Sequence, residues 1–133
     1  MKNLILSLQN ILMANGVAGQ RFGNTSDDVF QIAQIMSELN SVCTKDEVQT
    51  IQTSLNIHPK VWQKFGRILN DSRLAKMHEQ GKTLPGSYTA LYALSVMKGI
   101  EFRAFMYENI LKQNTSTRFI IDWNKEYREM CQL

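Results

Sequence analysis

Residues 60–97 read KVWQKFGRILNDSRLAKMHEQGKTLPGSYTALYALSVM, and this stretch decides the fold. Near its start, Trp62, Phe65 and Ile68 recur with the spacing of one face of a helix. Further on, Leu84-Pro85-Gly86-Ser87 carries a turn signal, and its serine is a good N-cap for a following helix. The stretch therefore predicts two amphipathic helices, a break and a third helix.

Helical spacing of apolar residues extends along the rest of the chain, with a glycine-rich loop over 16–25. No segment alternates with the two-residue period of a strand. The predicted helices cover about 3–15, 27–39, 45–56, 59–69, 72–79, 88–98, 100–113 and 118–130. We therefore predict an all-α fold, a compact bundle of about seven or eight short helices forming one domain over 1–133. Within it, 1–56 holds N-terminal helices suited to partner interaction, and 57–133 is a basic helical region.

Several helix starts carry capping signals. Thr25 or Ser26 can cap the second helix, and Thr44 with Glu47 has the spacing of a capping box. His58 precedes a proline, which is favoured at the first position of a helix. These signals predict where three helices begin.

Composition places the chain among ordinary globular proteins, because 44% of its 133 residues are hydrophobic and 20% are charged. The apolar run 1–14 is too short to span a bilayer and is interrupted by polar residues, so it predicts a buried amphipathic helix and no membrane partner. Cys43 and Cys131 have no metal-binding spacing and are expected to be free thiols in a cytoplasmic protein.

Motifs for catalysis are absent from the sequence. His58 and His78 are the two histidines, and they lack the spacing of a metal site. No nucleophile-elbow, dinucleotide-binding or P-loop pattern occurs, and the cluster GVAGQRFG over 16–23 lacks the lysine that a phosphate loop needs. We therefore predict a protein that is not an enzyme, with no catalytic residue, metal or cofactor.

Positive charge is concentrated in the middle of the chain. Residues 57–90 hold six basic and two acidic side chains, whereas 1–56 hold three basic and five acidic ones, and 91–133 hold six basic and five acidic ones. Such a cluster is typical of a surface that contacts DNA phosphates, although a solvated helix face has the same signature. Lys60, Lys64 and Arg67 repeat at i, i+4 and i+7, so they share one face of the helix predicted over 59–69. The candidate nucleic-acid-binding residues are Lys60, Lys64, Arg67, Arg73, Lys76, Lys82, Arg103 and Arg118.

Three further features bear on DNA binding. The segment 87–113 is compatible with a helix-turn-helix-like unit, two helices joined by a short turn at Lys98-Gly99. The second of these helices carries few cations, so we expect phosphate contact more than base reading. The hydroxyls of Tyr88, Tyr92 and Tyr107 are alternatives to core packing as further phosphate ligands.

A resemblance covers about half the chain. Trp62-Gln-Lys-Phe65, the block LPGSYTALYALS over 84–95 and Thr117-Arg118 resemble small helical proteins of phages and plasmids. In those proteins an LPxSxxxLYxLS block is followed by a threonine-arginine helix start, and they are distantly similar to the DNA-binding helical part of ParB-type partition proteins. The resemblance implies an accessory or regulatory protein of a mobile element that touches DNA. It implies helix caps at Ser87 and Thr117, and a structural or phosphate-binding role for Arg118.

The first helix leaves a second hypothesis open. Its apolar residues exceed what one small core needs, which favours a protein-interaction module, either a phage factor that modulates a host protein or a helical homodimer. The residues concerned are Leu4, Ile5, Leu8, Ile11 and Leu12.

Overall fold

The computed structural model describes residues 1–17 and 19–132, and this part of the chain contains eight α-helices and no strand. The helices are α1 (Lys2–Val17), α2 (Ser26–Val42), α3 (Lys45–Ser54), α4 (Pro59–Asn70), α5 (Ser72–Glu79), α6 (Tyr88–Ser95), α7 (Gly99–Glu108) and α8 (Thr117–Cys131). The predicted all-α bundle is confirmed. The predictions that fall on Ala18 and Leu133 lie outside the described residues.

The helices pack in a continuous series. Helix α2 lies against α1, α3 and α4, helix α4 lies against α2, α5 and α6, and helix α8 packs on α6 and α7. Helix α2 is the most deeply buried element, with Val29, Phe30, Ile32, Ala33, Ile35, Met36 and Leu39 all in the core. Because α6 makes its extensive contacts with α4 and α8, the predicted helix-turn-helix-like unit of α6 and α7 is not confirmed.

Helix α4 is anchored by an aromatic cluster. Phe65 is fully buried, and its ring centroid lies 5.7 Å from that of Phe22 and 5.1 Å from that of Tyr88. Trp62 is also buried, and its indole N–H donates to the side-chain oxygen of Asn40 at 3.0 Å. These contacts join α4 to α2, to α6 and to the segment before α2, which fixes the rotation of α4 about its own axis.

Helix starts follow the capping signals closely. The backbone N–H of Asp28 donates to the hydroxyl of Thr25, which is therefore the cap of α2, and the Thr44–Glu47 capping box is present at α3. The ring nitrogen Nδ1 of His58 accepts from the backbone N–H of Lys60 at 3.0 Å and caps α4. Short-range hydrogen bonding thus sets these starts.

Several predicted ends were wrong. Helix α1 continues to Val17, and α6 stops at Ser95, so Gly99 begins α7 instead of closing α6. Helix α7 ends at Glu108 because Asn109 is extended, and its side-chain amide donates to the carbonyl of Phe105 at 3.0 Å. Ile110, which lies within the predicted helix over 100–113, is outside α7 and is 85% exposed.

The cap of α8 also differs from the prediction. Ser116 is the N-cap, and its hydroxyl accepts from the backbone N–H of Phe119 at 3.1 Å. Thr117 is the first helical residue, and its hydroxyl pairs with that of Thr89 at 2.7 Å, linking the starts of α8 and α6. Ser87 caps α6 as expected.

The break before α6 is a packed junction between three loops. Leu84, Pro85 and Gly86 are buried, and the backbone N–H of Gly86 donates to the carbonyl of Gln113 at 3.0 Å. The Gln113 side-chain amide in turn donates to the carbonyl of Asn24 at 3.3 Å. A Cβ at position 86 would collide with the backbone of Asn24, so this glycine permits the close approach of two chain segments.

None of the described helices is both long and apolar enough to cross a membrane.

We predict that Gly86→Ala lowers the free energy of unfolding by about 1–3 kcal/mol, because the added methyl forces two backbones apart. Urea denaturation followed by circular dichroism measures this change.

The matched control is Gly66→Ala in α4, where a Cβ meets no atom within 4 Å. Alanine there is expected to raise stability by up to about 1 kcal/mol, because glycine disfavours the helical backbone. Equal effects of the two substitutions would contradict the packed junction.

Candidate functional site

A groove between α4 and α6 collects the cations of α4. Lys60, Lys64 and Arg67 line it, as their spacing along one helix face predicted, and its volume is about 720 Å³. We call it the basic groove; its lining residues are Lys60, Gln63, Lys64, Arg67, Asn70, Asp71, Tyr92 and Ser95.

The side chains of Lys60, Lys64 and Arg67 form no ion pair with a carboxylate of a described residue. Among the described residues, no acidic oxygen lies within 4.0 Å of Lys60, Lys64 or Arg67. The ammonium of Lys64 lies 5.1 Å from the centroid of the Tyr92 ring, a cation–π geometry that holds it at the wall of the groove. Positive charge in this groove is therefore available to an external anion.

Among the described residues, Asp71 is the one carboxylate in the lining, and it forms an ion pair with Arg73. The Arg73 guanidinium donates to both Asp71 oxygens, at 3.2 and 2.8 Å. Burial alone would raise the pKa of Asp71, but the hydrogen bonds from the Arg73 side chain and from the backbone of Leu74 and Arg73 outweigh it and lower the pKa. Asp71 also caps α5 through these backbone N–H groups.

Arg73 itself has a structural place. Beyond the ion pair, its guanidinium donates to the carbonyl of Ser95 at 3.2 Å and lies 4.3 Å from the centroid of the Phe102 ring. It therefore ties α5 to the C-terminal end of α6 and to α7, with its side chain 28% exposed. Sequence reasoning counted this residue as a free surface cation and missed these partners.

The remaining predicted cations lie outside the basic groove. Lys76, Lys82 and Arg103 are exposed and do not line it. Arg118 is exposed and pairs with Asp122 one helical turn further on, at 3.2 Å. The structure thus brings together three of the eight predicted residues, instead of one surface holding all eight.

Sequence reasoning missed two polar members of the groove. Gln63 and Asn70 line it beside the cations. They are seven residues apart, about two helical turns, and this spacing was the sequence signal that could have placed both on one face of α4. Of the three tyrosines considered as phosphate ligands, Tyr92 lies in the groove. Tyr88 is partly buried against Phe65, and Tyr107 does not line the groove.

A second groove lies between α6 and α8. Its volume is about 510 Å³, its floor is mainly apolar, and it shares Lys64 and Tyr92 with the basic groove. We call it the amphipathic groove; its lining residues are Lys64, Thr89, Tyr92, Ala93, Val96, Thr117, Ile120, Ile121, Asn124, Lys125, Arg128 and Glu129.

An ion pair between the buried Glu101 and the exposed Arg128 holds α7 against α8 beside this groove. Glu101 is 4% exposed, and its carboxylate accepts from Nε of Arg128 at 2.5 Å and from a second guanidinium nitrogen at 3.3 Å. The same carboxylate accepts the backbone N–H of Lys98 at 2.7 Å and so also caps α7. The hydrogen bond from Arg128 is the main cause of a lowered Glu101 pKa, and it raises the pKa of Arg128.

Comparison with protein-family models, with curated protein sequences and with solved structures found no match for this chain.

We predict that acid weakens the fold through Glu101. Its pKa is lower in the folded protein than the ordinary 4.5, so its stabilising contribution is present above about pH 4.5 and is lost as the pH falls through the folded-state pKa. Glu101→Gln is expected to lower stability at neutral pH and to flatten the acid dependence. Urea denaturation at a series of pH values between about 3 and 7 measures both effects.

The comparison variant is Glu126→Gln, which removes an exposed carboxylate of α8. An acid dependence unchanged in Glu101→Gln, or flattened as much in Glu126→Gln, would contradict this assignment.

Proposed function

We propose that this protein is a non-enzymatic regulatory protein that binds DNA through the basic groove. The observation that carries the proposal is the convergence of Lys60, Lys64 and Arg67 on one groove with no carboxylate partner within 4.0 Å among the described residues. A cationic groove of this kind attracts a polyanion and releases the counterions condensed on it.

The dimensions of the helix support phosphate contact. From Lys60 to Arg67 the axis of α4 rises roughly 10 Å, which equals about three base-pair steps of duplex DNA. Polar groups of Gln63, Asn70 and Tyr92 lie beside the cations and can donate to phosphate oxygens. These contacts position a duplex and carry little sequence information.

The frame behind the groove is rigid. Helix α4 is held by the buried Trp62, Phe65 and Ile68, so its cations are presented without a large cost in backbone ordering. An origin in a phage or plasmid, and a cytoplasmic location in a bacterial host, belong to the same proposal and are supported by the sequence resemblance alone.

We predict that Lys64→Glu/Arg67→Glu weakens binding to a random-sequence duplex. The logarithm of the binding constant should fall less steeply with the logarithm of salt concentration, by about 2 in slope, because each lost phosphate contact removes roughly 0.9. Fluorescence anisotropy at several salt concentrations measures both quantities.

The control is Lys2→Glu/Lys45→Glu, which changes the net charge equally at two exposed positions outside the basic groove. It should bind more like the natural protein than the groove variant does. Binding that is absent, independent of salt, or weakened equally by both double variants would refute the proposal.

A protein-interaction module is the second candidate function, and the observation that favours it is on α1. Leu6, Met13 and Val17 are 46%, 64% and 91% exposed and recur on one face of the helix. This face is opposite the buried Leu8 and Leu12. These exposed apolar residues of α1 are not the ones that the sequence suggested for an interface.

We predict that α1 mediates formation of a homodimer, which Leu6→Glu/Met13→Glu converts to a monomer by placing charge in an apolar contact. Size-exclusion chromatography with light scattering over a concentration series measures the mass. The control is Ile100→Glu/Ile110→Glu, at exposed apolar positions of other segments. A natural protein that stays monomeric throughout the series would contradict the dimer.

A further inference from the structure

We propose that the amphipathic groove is a binding site for a linear amphiphile with an anionic head group, such as a fatty-acid carboxylate. The groove joins an apolar floor to a cationic rim, and the buried side chain of Asn124 lies in its lining. The inference does not rest on the proposed DNA contact, although the two sites share Lys64 and Tyr92.

The shape of the groove favours an elongated ligand. Its α8 wall runs from Thr117 to Glu129, which corresponds to roughly 18 Å along the helix. Its volume of about 510 Å³ falls in the range of roughly 300–1,000 Å³ that is usual for small-molecule sites. A chain laid along the helices fills such a groove better than a compact ligand.

The floor provides apolar contact. Ala93 and Ile120 are buried, Val96 is half-buried, and Ile121 is 51% exposed at the edge. A hydrocarbon chain in the groove would cover the exposed part of this surface and remove it from water, which is the main favourable contribution expected for the tail.

The rim selects the charge of the head group. Among the described residues, Lys64, Lys125 and Arg128 line the groove together with one carboxylate, that of Glu129. The charge of Arg128 is offset by its pairing with Glu101, whereas Lys64 and Lys125 have no acidic oxygen within 4.0 Å among the described residues. The net charge of the remaining rim side chains is positive, so an anionic head group is complementary to the rim.

Asn124 supplies a hydrogen-bonding group inside the groove. The residue is 8% exposed, and its Oδ1 is buried with no described partner. Oδ1 is an acceptor, so the atom of this side chain that can bind an anionic oxygen is the amide nitrogen Nδ2, which donates.

The test is a titration of the full-length ¹⁵N-labelled protein with dodecanoate, below its micellar concentration, followed by two-dimensional NMR. The expected result is a saturable shift of amide signals confined to residues that line the groove on α6 and α8. Dodecyltrimethylammonium, which has the same chain and the opposite charge, is expected to give no saturable shift at these positions.

Variants locate the site. Ile121→Glu is expected to weaken dodecanoate binding at least about tenfold, because it removes apolar contact and adds a like charge. Lys125→Glu is expected to weaken it in the same direction, and it serves if Ile121→Glu fails to fold. The matched control is Ile110→Glu, at an exposed isoleucine outside the groove, which should bind as the natural protein does.

Four results would overturn the proposal. The first is a set of signal shifts that scatter over the surface without saturating, and the second is equal binding of the cationic amphiphile. The third is an equal loss of dodecanoate binding in Ile110→Glu and Ile121→Glu. The fourth is saturation of the groove signals by an acidic amphipathic helical peptide when dodecanoate has no effect.

Discussion

The packing of Phe65 against Phe22 and Tyr88 is the interaction on which the rest of the structure depends. It places α4 between α2 and α6, and it fixes which face of α4 is turned inward. Because a helix is rigid about its own axis, the cations on its other face are then directed into the groove beside α6. The core contact and the candidate binding surface are two sides of one helix.

Charge along the sequence does not translate directly into charge on a surface. Arg73 lies only six residues after Arg67, yet its guanidinium is held by Asp71, by the carbonyl of Ser95 and by the ring of Phe102. The guanidinium of Arg73 offsets the negative charge of Asp71. Among the described residues Asp71 is the one carboxylate in the basic groove, so repulsion of an incoming anion there is weak. The ion pair between Asp71 and Arg73 therefore makes one cation less available at the surface. It also reduces the repulsion between the Asp71 carboxylate and a bound anion.

The two grooves meet at Lys64 and Tyr92. The ammonium of Lys64 lies over the Tyr92 ring, and both residues line both grooves. The positive charge of Lys64 therefore contributes to both grooves, whereas the apolar floor of the amphipathic groove is formed by α6 and α8. The chemistry of the two sites is therefore different although their walls are shared.

The sequence by itself determined the helical fold class, most helix starts and the cationic face of α4. These features depend on short-range effects, namely the spacing of apolar residues and hydrogen bonds between a cap and the next turn. The sequence did not determine the ends of α6 and α7, because each end is set by local hydrogen bonds that apolar periodicity does not show. Only the tertiary structure decided that Gly86 packs on Asn24, that Arg73 contacts Ser95 and Phe102, and that α6 and α8 enclose a groove. Each of these depends on contacts between residues far apart in the chain, whose pairing a single sequence does not specify.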